Sequence, residues 1–147
     1  MKLVFRKMEI KDVPQVHKIE CQLFTDPWPE KCFIRDIEDK NISHLFIVEH
    51  NGEIIGYIIC WYYANEIHIG NVAVAPRYQK RGVGKYLLQK IFRQFPEYDL
   101  SFLEVRENNQ AAISLYKQFG FKQIYKRMKY YSNKENALVM VKYRDNE

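Results

Sequence analysis

A basic loop that contains two glycines joins a candidate strand to a candidate helix near the middle of the chain. Its residues are Gln79, Lys80, Arg81, Gly82, Val83 and Gly84. Glycine lets backbone N–H groups approach a ligand closely, and the N-terminus of the following helix stabilises an anion there. Lys80 and Arg81 add positive charge beside the same point. The loop therefore predicts a binding site for a pyrophosphate group.

Two common phosphate-binding motifs do not fit this loop. A Walker loop needs a glycine where Gln79 stands, and a Ser or Thr where Tyr86 follows Lys85. A dinucleotide fingerprint needs a glycine or alanine at Leu87. Both motifs fail at positions that they require, so the anion belongs to another class of cofactor.

The remaining pattern, Gln-x-x-Gly-x-Gly after a Val-x-Val-x-Pro strand, resembles the acetyl-CoA signature of the GNAT superfamily of N-acetyltransferases. Nearly the whole chain is similar to the RimI-type ribosomal-protein alanine N-acetyltransferases of that superfamily. The segments that carry this resemblance are Phe24-x-x-x-Trp28, Asn71-Val72-Ala73-Val74, Leu103-Glu104-Val105-Arg106, Asn109-x-Ala111-Ala112-Ile113-x-Leu115-Tyr116 and Phe119-Gly120-Phe121. The chain departs from the family pattern at Gly70, where a bulky residue is usual, and at Pro29, where Ser is usual.

The resemblance implies that acetyl-CoA is the cosubstrate and assigns the residues that bind it. The residues expected at the pyrophosphate are Gln79, Lys80, Arg81, Gly82, Val83, Gly84 and Lys85. The backbone of Val72, Ala73 and Val74 is expected to hold the pantetheine arm, with Asn109 nearby.

Acetyl transfer from a thioester requires a neutral amine, stabilisation of a developing oxyanion and a proton for the departing thiolate. The resemblance implies that Glu104 is the base and Tyr116 the acid. Alternation along a short strand puts Leu100, Phe102 and Glu104 on one apolar face, so desolvation is expected to raise the pKa of Glu104. The alternative is a structural Glu104 that pairs with Arg106 or with a neighbouring helix.

Tyr116 follows Ala112 by one helical turn and is expected to face partly inward. A phenol pKa of about 10 and a thiol pKa of about 8.5 make proton donation to the thiolate uphill by about 2 kcal/mol. The alternative is a large core side chain with a satisfied hydroxyl. Cys32 and Cys60 lack a neighbour that would lower a thiol pKa, so direct transfer is expected rather than an acetyl-enzyme. His68 could relay a proton but is not assigned to the catalytic set.

The acceptor is expected to be a peptide α-amine. Its pKa is about 8, against about 10.4 for a lysine side chain, so it offers more neutral nucleophile near neutral pH. The resemblance implies the N-terminal alanine of the eighteenth protein of the small ribosomal subunit, entering between the first helical loop and the last hairpin. Trp28, Tyr130 and Tyr131 fall in those regions and are expected to contact the substrate. The alternatives are a small-molecule amine and, from another class, a basic ribosome- or RNA-binding module without catalysis.

The elements that must position these residues are predicted in the order β-α-α-β-β-β-α-β-α-β-β. Strands are expected at 3–8, 43–49, 54–63, 66–75, 100–105, 121–131 and 136–143, and helices from Asp12, Pro29, Gly82 and either Asn108 or Asn109. Asn51-Gly52 is the strongest hairpin signal, and Gly120 is expected to stop the last helix. This order predicts an α/β (α+β) fold similar to that of the GNAT superfamily. It is a mixed, mostly antiparallel sheet with helices on both faces.

Length and composition fit one domain, 1–147, with 47% hydrophobic and 28% charged side chains. No apolar run is long enough to span a bilayer and no signal peptide is visible, so a cytoplasmic location without a membrane partner is expected. Cys21, Cys32 and Cys60 lack the spacing of a metal site, so no metal is expected. The net charge of +5 suits an anionic cofactor, and no direct nucleic-acid contact is required.

Overall fold

The element order in the computed structural model is the predicted one. Residues 1–144 are described, and within them the chain forms seven strands and four α-helices. The strands are β1 (Val4–Lys7), β2 (Ser43–His50), β3 (Glu53–Tyr63), β4 (Glu66–Val74), β5 (Leu100–Arg106), β6 (Lys122–Arg127) and β7 (Ala137–Tyr143). The helices are α1 (Val13–Leu23), α2 (Glu30–Glu38), α3 (Val83–Gln94) and α4 (Gln110–Gln118). The predicted domain 1–147 includes three final positions that lie outside the described residues.

The β2–β3 hairpin forms where the Asn-Gly pair predicts it. Asn51 (φ 51°) and Gly52 (φ 77°) both have left-handed φ values, as the two central residues of a type I′ turn must. The two strands pair antiparallel from His50↔Glu53 at the turn to Ser43↔Trp61 at the far end. The hairpin thereby carries Trp61 to the middle of the sheet.

The strand order is β1-β2-β3-β4-β5-β7-β6, and every pairing in it is antiparallel except that of β4 with β5. The β4–β5 pairing starts at Glu66↔Leu100 and ends at Ile69↔Leu103, although both strands continue beyond it. The remaining parts of β4 and β5 are not joined by a ladder. This leaves an opening near the centre of the sheet.

A β-bulge marks the point where the ladder ends. Ile59 pairs with Asn71 and Cys60 pairs with Ile69, so Gly70 is an extra residue in β4. Such bulges bend a strand and re-aim its side chains. The bulge therefore lies beside the opening between β4 and β5.

Helices cover both faces of the sheet, as predicted. One core joins the sheet to α3 and α4, and its buried residues include Ile58, Leu87, Leu88, Ile91 and Ile113. The other joins the sheet to α1 and α2, and its buried residues include Val16, Ile19, Phe33, Ile47 and Ile59. Each fully buried Ile or Leu side chain stabilises the fold by about 1.5–3 kcal/mol. Across the described residues, every helix falls short of the length and apolarity that crossing a bilayer requires.

The helix ends follow the predicted capping residues with one exception. Asn109 caps α4, since its Oδ1 accepts a hydrogen bond from the backbone N–H of Ala112 at 3.2 Å, and Gly120 (φ 96°) follows the helix. Asp12 precedes α1 but makes no side-chain cap. Its carboxylate accepts hydrogen bonds from the Arg6 guanidinium at 2.8 and 2.9 Å instead, and this pairing lowers the pKa of Asp12. The Asp12 carboxylate also accepts a hydrogen bond from the backbone N–H of Glu9 at 2.8 Å, so its oxygens are occupied by Arg6 and Glu9.

The predicted strand 121–131 is too long. β6 ends at Arg127, because Lys129 has a left-handed φ of 52° and its backbone N–H donates to the Asn136 side chain at 2.9 Å. Residues 128–136 form a loop, which carries Tyr130 and Tyr131 toward the opening in the sheet.

Candidate active site

A cavity of about 300 Å³ lies where β4 and β5 separate. Its lining comes from the α1–α2 loop, from β3, β4 and β5, from the start of α4 and from loop 128–136. The predicted site residues that line it are Trp28, Val72, Glu104, Asn109, Tyr116, Tyr130 and Tyr131. The structure thus gathers the predicted acid, base and substrate-contact residues around one cavity.

Glu104 lies on the predicted face of β5, and its side chain is only 17% exposed. Its Oε2 accepts a hydrogen bond from His68 Nε2 at 2.8 Å. This bond lowers the pKa of Glu104 below its usual range, although burial acts in the opposite direction. The predicted rise of this pKa is wrong, because the sequence did not reveal that His68 would be its partner. Arg106, the alternative partner, pairs with other carboxylates.

His68 is the residue near the predicted base that sequence reasoning left out. Its ring stacks on Phe102 at 4.3 Å between centroids, and the Trp61 indole lies 5.0 Å away on the other neighbouring strand. A neutral imidazole that donates from Nε2 keeps Nδ1 as an acceptor. The Glu104–His68 pair can therefore hold a proton taken from an amine. His68 and Glu104 come together through the register of β4 against β5, and no local sequence pattern predicts that register.

Tyr116 lies on α4 and is 7% exposed. Burial, with a smaller contribution from Tyr131, raises its pKa above the usual range of a phenol. Proton donation to a thiolate therefore costs more than the roughly 2 kcal/mol expected for ordinary groups. The Tyr116 ring packs edge-on against Phe121 at 5.8 Å. Tyr116 is thus part of the core and also lines the cavity.

Glu20 is a second buried carboxylate beside the cavity, at 1% exposure, and sequence reasoning missed it. It accepts hydrogen bonds from the Tyr57 hydroxyl, from Asn71 Nδ2 at 3.2 Å and from the backbone N–H of Trp28 at 3.0 Å. These bonds connect α1 to β3, to β4 and to the α1–α2 loop. The available signal was the position of Glu20 in the apolar stripe of α1, four residues after buried Val16.

Asp26 joins two loops at the mouth of the cavity. It accepts hydrogen bonds from Arg106 at 2.5 Å and from Ser132 Oγ at 2.9 Å. The Arg106 guanidinium also lies 3.9 Å from the ring centroid of Tyr131 and 3.2 Å from Glu135 Oε2. The α1–α2 loop and loop 128–136 are thus joined to the end of β5, and Tyr131 lines the same cavity as Glu104.

The predicted anion loop lies at the other end of β4, outside this cavity. Lys80 (φ 62°) and Gly82 (φ 83°) both have left-handed backbones that lead into α3, and the first N–H groups of a helix have no intrahelical partner. Gln79 Nε2 donates to the Val74 carbonyl at 3.0 Å and fixes the loop to β4. A Cβ on Gly84 would lie 3.2 Å from Leu115, so this glycine also lets α3 approach α4. The exposed side chains here are basic, so the loop suits a pyrophosphate.

The side chains of the β4 residues between the anion loop and the cavity point alternately to the two faces of the sheet. Val72 lines the cavity, Ala73 is buried in the core under α1 and α2, and Val74 packs toward α3 and α4. A role for Ala73 is therefore limited to its backbone, which is the role that the resemblance implies. The edge of β4 that β5 leaves unpaired runs from the cavity toward the anion loop. A long, thin ligand with a pyrophosphate at one end fits this path.

This geometry is that of a coenzyme A-dependent acyltransferase. Residues 13–121 match the model of the acetyltransferase (GNAT) family. The [ribosomal protein bS18]-alanine N-acetyltransferase of Haemophilus influenzae is 34% identical in an alignment 146 residues long that covers 95% of this chain and 98% of that protein. The enzyme of the same name from Escherichia coli K12 is 31% identical over 138 residues, covering 90% of this chain and 92% of that one.

A solved structure supports the same family assignment. The crystal structure of the ribosomal-protein-S18-alanine N-acetyltransferase from Escherichia coli superimposes with a TM-score of 0.89 at 28% identity, covering 99% of this chain and 96% of that one. The chain belongs to the GNAT family and is an acetyl-CoA-dependent N-acetyltransferase. The alternative of an RNA-binding module without catalysis is thereby set aside.

Proposed function

We propose that this enzyme acetylates the N-terminal α-amine of a peptide that begins with alanine, and that it does so in the cytoplasm on the ribosomal protein that its relatives act on. The relatives are named for the alanine of ribosomal protein bS18, and their alignments cover 90% and 95% of this chain. The observation that carries the proposal is the cluster of Glu104, His68 and Tyr116 around one cavity whose mouth is framed by Trp28 and Tyr131.

The Glu104–His68 pair takes the proton of the attacking amine. Glu104 is ionised at neutral pH because its pKa is lowered, so it orients His68 and balances the charge that His68 gains. An α-amine with a pKa of about 8 is already partly neutral, so a base of modest strength is sufficient. A lysine side-chain amine has a pKa of about 10.4, so it would need a stronger base to become neutral.

Tyr116 is the acid that donates a proton to the leaving sulfur. The amine nitrogen bonds to the thioester carbonyl carbon, the C–S bond breaks, and the sulfur must gain a proton. The raised pKa of Tyr116 keeps its hydroxyl protonated until the C–S bond breaks, when the hydroxyl gives its proton to the sulfur. The tyrosinate then regains a proton from solvent, and the proton taken from the amine leaves the Glu104–His68 pair to solvent. Cys60 is no competing nucleophile, since burial raises its pKa to about 12. Direct transfer to the amine follows.

Acetyl-CoA supplies the acyl group, and the chain's own residues hold it. The N–H groups that begin α3 and the basic side chains Lys80, Arg81 and Lys85 bind the pyrophosphate, with Gln79 fixing their loop to β4. The backbone of residues 72–74 binds the pantetheine arm. Asn109, which caps α4 beside Tyr116, lies along the same arm.

Competition between acceptors tests this proposal. An alanine-starting peptide and a polyamine would be offered together with acetyl-CoA, and the product of each would be measured by mass spectrometry. The peptide is expected to gain one acetyl group and the polyamine none. Preference for the polyamine would contradict the peptide acceptor and leave the acetyl donor in place.

Substitution of the two catalytic residues tests their roles. Glu104→Gln and Tyr116→Phe are each expected to lower kcat by about 10²- to 10⁴-fold. The Kd for acetyl-CoA, measured by calorimetry, should stay unchanged in both variants. An unchanged kcat would remove that residue from the mechanism.

A further inference from the structure

The indole of Trp61 lies directly over Gly70. An ideal Cβ on Gly70 would be 2.6 Å from both Cη2 and Cζ3 of Trp61, which is closer than two carbon atoms can approach. The φ of Gly70 is outside the left-handed region, so the backbone does not require glycine here. The ring of Trp61 requires it, because it fills the space of a side chain at position 70.

Trp61 is held in this position by its neighbours. Its ring centroid is 6.1 Å from that of Trp28 and 5.0 Å from that of His68. Both neighbours are themselves fixed, since the Trp28 backbone N–H donates to Glu20 and His68 donates to Glu104. Trp61 is therefore a rigid wall of the cavity, on the side next to the base.

The first side chain of an acceptor must lie beside this wall. The reacting amine has to come within hydrogen-bond reach of the Glu104–His68 pair, directly or through one water. The Cβ of the residue that carries this amine is only about 2.5 Å from the nitrogen. Trp61 is the next ring along from His68 and lines the same cavity, so the indole borders the space that is open to that side chain.

We propose that Trp61, seated over Gly70, is the specificity-determining residue that limits the acceptor to small first side chains. Alanine, serine and glycine fit between the amine position and the ring, and methionine, leucine and phenylalanine do not. The inference rests on the proposed function, because it concerns a peptide α-amine bound in this cavity.

Peptides that differ only at the first residue test the inference. The kcat/KM of the wild type, Trp61→Ala and Trp61→Leu would be measured with alanine-starting and methionine-starting peptides, by following release of the coenzyme A thiol. The ratio for methionine over alanine is expected to rise at least about tenfold in both variants, which is the usual effect of one or two methylene groups on pocket selectivity. Trp61→Phe, which keeps an aromatic ring but lacks the distal carbons Cη2 and Cζ3 that lie over Gly70, should change it less.

Tyr62→Leu is the matched control. Tyr62 is the next residue on β3 and points to the opposite face, where it stacks on Phe95 at 4.5 Å. Its replacement removes an aromatic ring from the same strand without touching the cavity, so the ratio should remain that of the wild type. Far-UV circular dichroism of each variant shows which ones are folded, and Trp61→Leu carries the test if Trp61→Ala unfolds.

The possible outcomes distinguish the inference about Trp61 from the proposed function. A wild type that acetylates the alanine peptide, with an unchanged ratio in the folded Trp61 variants, overturns the inference and leaves the proposed function standing. A wild type that accepts methionine as well as alanine has the same effect. A wild type that binds acetyl-CoA but acetylates no peptide overturns the proposed function, and the inference falls with it.

Discussion

Gly70→Ala is expected to destabilise the fold by displacing Trp61. The added Cβ would lie 2.6 Å from two carbons of the indole, and overpacking a well-packed site costs about 1–3 kcal/mol. The lower half of this range is expected, about 1–2 kcal/mol, because the indole borders the cavity on one side and relieving the clash there disturbs few buried neighbours. For a domain of this size the loss corresponds to a fall in Tm of about 3–8 °C. The displaced ring would also narrow the cavity and raise KM for a peptide.

A double-mutant cycle isolates this effect. In the Trp61→Leu background the two ring carbons are absent, so Gly70→Ala should cost less than about 0.5 kcal/mol there. Thermal unfolding followed by circular dichroism would measure all four proteins. An equal loss of stability in both backgrounds would refute the reasoning, since the strain would then come from the backbone of β4 rather than from the indole.

Three further predictions concern the Glu104–His68 pair, the mouth of the cavity and the anion loop. His68→Ala should lower kcat/KM, because His68 receives the amine proton in the proposed mechanism. The remaining activity should have its acidic limb at higher pH, because Glu104 then acts alone without the hydrogen bond that lowers its pKa; an unmoved limb would argue against the pair. Asp26→Ala should raise KM for a peptide several-fold, with the Kd for acetyl-CoA unchanged by calorimetry and stability reduced by less than about 1 kcal/mol. Gly82→Ala should weaken acetyl-CoA binding and cost about 1–2 kcal/mol of left-handed strain. Gly120→Ala, which also has a left-handed φ (96°) and follows the C-terminal end of α4, should lower Tm alike and leave the Kd unchanged.

Local chemistry made much of the fold predictable. Asn51-Gly52 requires a tight hairpin, the loop before α3 needs glycine at a left-handed position, and Gly120 ends α4 in the same way. Periodicity set the faces of the helices, and alternation set the face of β5 that carries Glu104. The end of β6 was missed because a left-handed Lys129 has no distinctive residue type.

The parts of the site that could not be predicted depend on contacts between distant residues. Asp26 and Arg106 are paired across 80 positions of sequence, and Glu20 contacts Tyr57 across 37. The pKa of Glu104 had the wrong predicted direction for the same reason, since His68 reaches it only through the register of β4 against β5. The family resemblance indicated Glu104 as the candidate base, and residue type alone left a structural role open. The direction of the Glu104 pKa shift could be found only from the pairing of β4 with β5 in the folded sheet.

The position of the acetyl group on a product peptide tests the central claim most directly. A peptide that begins with alanine and contains an internal lysine would be incubated with the enzyme and acetyl-CoA, then fragmented by tandem mass spectrometry. The structure predicts one acetyl group on the alanine α-amine and an unmodified lysine, because Glu104, His68 and Tyr116 surround a cavity suited to an amine that is already partly neutral. An acetyl group on the lysine alone, or on neither amine, would contradict the account.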